Sequence, residues 1–164
     1  MSVFTVGCHQ AATSSEHANG GAVQPDEEET PITAADVPVP ASYGEAVQRL
    51  EQYRDEVKQA VSSGKLHDAH RPLDETNIAL ERLPGIARAS GVPPRDWETV
   101  VVAGDDLGEA LAVIHERIDA GQSPNYATHS AAIDDALGRL RAVAGQQGAE
   151  NHKRAENEKR MKNE

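Results

Sequence analysis

The sequence predicts an all-α protein: an antiparallel up-down-up-down four-helix bundle over residues 42–145, with disordered N- and C-terminal tails. Three observations lead there. Four segments carry apolar or small residues at alternating steps of three and four, the seam of helices that pack lengthwise on one another. The connections between them are short, and short connections join antiparallel neighbours. Alanine and leucine dominate the apolar residues while only 3% are aromatic, a composition that suits helices better than sheets.

The first segment opens on Ser42-Tyr-Gly-Glu45, a capping box in which the serine oxygen accepts from the Glu45 amide while Glu45 reaches back. Its stripe is Ala46, Leu50, Tyr53, Val57 and Ala60, and Ser63-Gly64 ends it. The second has the seam Leu66, Ala69, Leu73, Thr76, Leu80, Leu83 and Ala87. Pro72 suits a first turn, so residues 66–70 are expected to form a separate short turn. Pro84 is expected to kink the helix or end its regular part.

The third segment organises the rest, with Trp97, Val100, Gly104, Leu107, Leu111, Ile114 and Ile118 on one seam. Gly104 and Gly108 each cost about 1 kcal/mol of helix propensity, and close approach of a neighbouring helix is the expected return. The fourth is expected to start at Ser123-Pro124, with Tyr126, Ser130, Ile133, Leu137, Leu140 and Ala144 on its seam. Residues 146–164 lack an apolar stripe and read as a polar tail, either a frayed helix or disordered.

Upstream of the bundle the chain changes character. Val6-Gly7-Cys8, following a short apolar stretch, matches the end of a bacterial lipoprotein signal, in which lipid is attached to the cysteine. Residues 1–8 would be the remnant of such a signal, since its charged start and long apolar stretch are not there. The alternative is a disordered N-terminus with a chance cysteine. Residues 9–41 read as an acidic, proline-bearing linker, suited to holding a domain away from a membrane. A periplasmic or cell-envelope location, with the membrane reached through lipid on Cys8, follows as the expectation. A secreted or cytoplasmic location is the alternative if the match is accidental.

Composition also narrows the function. With 27 acidic against 16 basic residues, a formal charge of -11, nucleic acid is not an expected partner. One cysteine precludes an internal disulfide and a C-x-x-C-H haem attachment. Both methionines, Met1 and Met161, lie outside the predicted bundle, so no haem is expected. No nucleophile elbow, phosphate loop or zinc-protease motif is present. The function expected is a non-enzymatic envelope module that binds an unknown protein or metal, or serves a structural role, without a cofactor.

One alternative is a metal-binding or redox-associated bundle. His67, His70, His115 and His129 fall within the predicted bundle, and His70, His115 and His129 lie roughly 6–9 Å below one of its ends. Imidazoles on neighbouring helices can hold Zn²⁺ or Cu²⁺, with Asp68, Asp74 and Asp119 as nearby carboxylates. Each of the three flanks a seam position, so half-exposed histidines at helix boundaries are the competing interpretation.

The blocks Gly64-Lys-Leu-His-Asp-Ala-His-Arg-Pro-Leu73 and Leu80-Glu-Arg-Leu-Pro84 carry a resemblance. From about Tyr43 to Ala144 the chain resembles secreted, lipoprotein-like helical proteins of planctomycete-type bacteria, and Ala69-His-x-Pro-Leu73 is the most specific part. The resemblance implies a bundle like that of cytochrome c prime and soluble cytochrome b, without their haem motifs. Histidines would be expected near positions 74 and 78, where this chain has Asp74 and Ile78.

Overall fold

A computed structural model describes residues 32–162. Four α-helices account for most of them: α1 Tyr43–Ser62, α2 His70–Ala89, α3 Trp97–Asp119 and α4 Tyr126–Lys162. Short 3-10 turns at Leu66–Ala69 and Pro94–Asp96 lead into α2 and α3, and no strand occurs among the described residues.

Local chemistry sets the helix ends. Ser42 Oγ accepts from the Glu45 amide at 3.2 Å, and the Glu45 carboxylate reaches back to the Ala41 amide at 2.9 Å. That is one residue beyond the usual capping-box partner. The first three helices all close with a glycine at positive φ: Gly64 at 72°, Gly91 at 79° and Gly121 at 68°. In each, the amide after the glycine donates five residues back: Lys65 to Ala60, Val92 to Ala87 and Gln122 to Arg117. This Schellman closure satisfies carbonyls that the helix end would leave bare, and the left-handed turn it needs favours glycine.

The seams become the core. Leu50 and Val57 from α1, Leu73 and Leu83 from α2, Leu107 and Ile114 from α3, and Ile133, Leu137 and Leu140 from α4 are all buried. Burying each such side chain contributes about 1.5–3 kcal/mol. The extensive helix contacts pair α1 with α2, α2 with α3, α3 with α4, and α4 with α1. Ion pairs cross the surface between them. Arg54 meets Asp134 at 2.5 Å, Arg141 Nε meets Glu51 at 2.7 Å, and Arg139 meets Asp106 at 2.5 Å.

Several expectations need correcting. Of the two outcomes expected at Pro84, an end to the helix does not occur: α2 continues to Ala89, with Leu83 and Ala87 on either side of the proline buried. The fourth helix begins at Tyr126 rather than Ser123, since the Asn125 side chain accepts from the Ala127 amide at 3.1 Å and caps it. It then runs on as a helix through the predicted polar tail to Lys162, the helical of the two alternatives expected there. Gln147 is buried and donates to the Ser90 carbonyl, and Glu150 pairs with Arg95 at 2.6 Å, so the first turns past Ala144 are held against the bundle.

The linker prediction also fails at its C-terminal end. Val37 is buried, and Arg82 on α2 donates to the Val37 carbonyl at 2.9 Å and to that of Ala34. Residues 32–41 therefore include an ordered segment packed on the bundle. The rest of the predicted linker, together with Cys8, lies outside the described residues.

Gly104 and Gly108 do not serve close helix approach. A Cβ on Gly104 would stand 3.8 Å from Leu80 Cδ2, and one on Gly108 3.5 Å from Leu80 Cδ1. Both are ordinary van der Waals distances, so packing leaves room for alanine at either position.

Candidate metal centre

The junction between the first two helices builds one side of the site. After Gly64 the chain makes the 3-10 turn Leu66–Ala69, and the His70 amide donates to the His67 carbonyl as α2 begins. Ala69 is fully buried, which fixes the register and leaves His70 at the edge of the core. The other side comes from the last turns of α3. Ile114 is fully buried, so His115 next to it flanks the core, and Asp119 lies one turn further along the same face.

These residues converge. His70 Nδ1 lies 3.2 Å from His115 Nε2. One oxygen of Asp119 lies 3.6 Å from the same His70 nitrogen and 3.7 Å from the same His115 nitrogen. The two rings meet edge to face, with centroids 5.3 Å apart. Both imidazoles are about three-quarters covered, with side-chain exposures of 26% and 23%, while Asp119 is 59% exposed. Among the described residues, these three form the set of metal-ligating side chains whose ligand atoms all lie within 4.8 Å of one another.

The dimensions suit a metal ion. A circle through three points with those separations has a radius of about 2.0 Å. An ion at or just off its centre would sit at ordinary zinc–nitrogen and zinc–oxygen bond lengths from all three atoms. Two imidazoles with one carboxylate suit Zn²⁺ and Cu²⁺ and leave a coordination position open. Without a cation, the same geometry allows one imidazole to donate a hydrogen bond to the other.

The structure divides the predicted histidines. His70 and His115 meet, and Asp119 is the carboxylate that joins them. Asp68 and Asp74 are not in the convergent set. His67 sits on the 3-10 turn with its ring centroid 6.2 Å from that of His70. His129 is not brought to His115. It lines a separate groove between α3 and α4 with Asp106, Glu109, Val113, Asp135 and Arg139. The reason is rotational. Successive helix residues turn by about 100°, so His115 faces α2 while Val113, two residues before it, faces the groove that His129 also lines.

No helix among the described residues is long and apolar enough to cross a membrane. Compared with known proteins, the chain matches no family model, and neither a curated protein nor a solved structure is significantly similar to it.

Proposed function

We propose that this protein is a non-enzymatic, metal-binding four-helix bundle of the cell envelope that takes up Zn²⁺ or Cu²⁺ between α2 and α3. The observation that carries this reading is the triangle of His70 Nδ1, His115 Nε2 and the Asp119 carboxylate, with sides of 3.2, 3.6 and 3.7 Å. The bundle is read as antiparallel and up-down-up-down. Its support is that Glu51 pairs with Arg141 while Arg54 pairs with Asp134, so numbering rises along α1 as it falls along α4. Short connections on either side of α2 and α3 suit the same topology. The envelope address and the lipid on Cys8 rest on the Val6-Gly7-Cys8 sequence alone.

The test is a thermal titration of the full chain with Zn²⁺ and, separately, with Cu²⁺. An ion that binds only the folded state adds about 2.7 kcal/mol at a hundredfold excess over Kd, so the melting temperature should rise. The rise should fade on acidification, because protonated imidazole no longer ligates. The His115→Ala variant removes the ligand that α3 contributes. An equal rise in that variant, or no rise in the parent protein, would contradict the proposal.

A further inference from the structure

Three protein ligands leave an ion with a free position, which raises the question of what fills it. We infer that His67 swings in as a fourth ligand, so that the site closes on its ion with three imidazoles and one carboxylate. This inference rests on the metal-binding reading above.

Spacing is the first argument. His67 and His70 are three residues apart across the junction of the 3-10 turn and α2, and His115 and Asp119 are four apart on α3. The spacing of four sets His115 and Asp119 on one face of α3. The 3-10 turn runs straight into α2 so that the His67 and His70 rings stand side by side, 6.2 Å apart, giving the site an arm on each side. Distance is the second. Two imidazoles bound at about 2 Å to one tetrahedral ion hold their ring centres about 5 Å apart. His70 and His115 already stand at 5.3 Å. His67 and His70 stand at 6.2 Å, about 1 Å too far apart.

The third argument is that His67 can cover that gap without moving the core, exchanging its present side-chain interaction for the ion. Its neighbours Leu66 and Ala69 anchor the turn in the core, Ala69 being fully buried. His67 itself is exposed, so a rotation about its own side-chain bonds displaces no core atom. Closure has a chemical meaning. Catalytic zinc keeps one position for water, whereas four protein ligands hold the ion and leave no place to activate a nucleophile. The site is therefore one for retaining a divalent cation, not for hydrolysis with it.

The experiment loads the full chain with Co²⁺, which reports coordination number through its visible absorption, and competes it against Zn²⁺ to obtain affinities. The parent protein should give an intense four-coordinate spectrum that excess imidazole leaves unchanged. His67→Ala, which removes no core atom, should bind at least about tenfold more weakly, since even supporting partners of metal ligands are worth 10–100-fold. Added free imidazole should restore the parent spectrum in that variant by occupying the vacated position. If His67→Ala matches the parent in affinity and spectrum, His67 is not a ligand and this inference falls while the metal site stands. If the parent binds no Co²⁺ or Zn²⁺, or His115→Ala binds them equally well, the metal reading itself falls and takes the inference with it.

Discussion

Two polar regions of the bundle are put together in opposite ways. Around Tyr43, partners within the protein satisfy the polar groups. The Tyr43 amide donates to Ser90 Oγ at 2.8 Å, its hydroxyl donates to the Leu140 carbonyl at 3.2 Å, and Gln147 donates to the Ser90 carbonyl. Nearby, Trp97 Nε1 donates to the Val92 carbonyl at 2.8 Å. Around His70, by contrast, three partly exposed groups turn nitrogen and oxygen atoms toward one another. A single shared proton satisfies only one of the pairs, and a cation satisfies all three. The first region joins α1, α2 and α4 and serves the fold. The second lies between α2 and α3, and among the described residues its groups are paired only with one another.

The contrast can be broken by mutation, starting with its largest expected effect. Tyr43 is fully buried, and truncating it to alanine should cost about 3–5 kcal/mol in urea denaturation. His115→Ala without metal should cost no more than about 1 kcal/mol, because water reaches the edge of the His70 ring. Equal losses from the two substitutions would remove the distinction between a structural region and a binding one.

Tyr126 sharpens the comparison because its buried hydroxyl has no hydrogen-bond partner among the described residues. Tyr126→Phe should therefore stabilise the protein by about 1 kcal/mol near neutral pH. The phenol also has a linkage signature. Burial holds it neutral and pushes its pKa up to about 12, against the opposing pull of Arg54. With an unfolded value of about 10, that contribution is present in full below pH 10 and is lost as pH rises through about 12. Denaturation curves at pH 9 and pH 11.5 should show Tyr126→Phe losing less stability than the parent between the two.

A smaller effect is expected on α3. Since a Cβ on Gly104 meets Leu80 and Leu83 at 3.8 and 3.9 Å, Gly104→Ala should add up to about 1 kcal/mol through helix propensity alone. A loss in place of that gain would show that the helices need the closer approach first expected from the sequence.

Much of the fold was legible because burial follows helical periodicity. Val100, Leu107, Leu111, Ile114 and Ile118 on the predicted α3 seam are all buried. Where expectation failed, a tertiary contact overruled a local signal. Arg82 reaching the Val37 carbonyl ordered part of a chain segment that reads as linker, and Gln147 with Glu150 carried α4 beyond its apolar stripe. The site was half legible. His115 and Asp119 share a face by their spacing of four, which sequence displays directly. Whether that face turns toward α2 or α4 depends on rotation of α3 in the bundle, and sequence spacing carries no such information. That rotation brings His70 into contact with His115 and leaves His129 in the groove on the other side.

The central claim is that one divalent cation sits between α2 and α3, held by named atoms. X-ray absorption at the zinc edge, on the full chain loaded with one equivalent of Zn²⁺ at pH 7, tests it most directly. The account predicts nitrogen and oxygen neighbours at about 2.0 Å, with outer-shell scattering from at least two imidazole rings that weakens in His115→Ala. A zinc environment of six oxygens at longer distance, or one identical in the parent and His115→Ala, would contradict it.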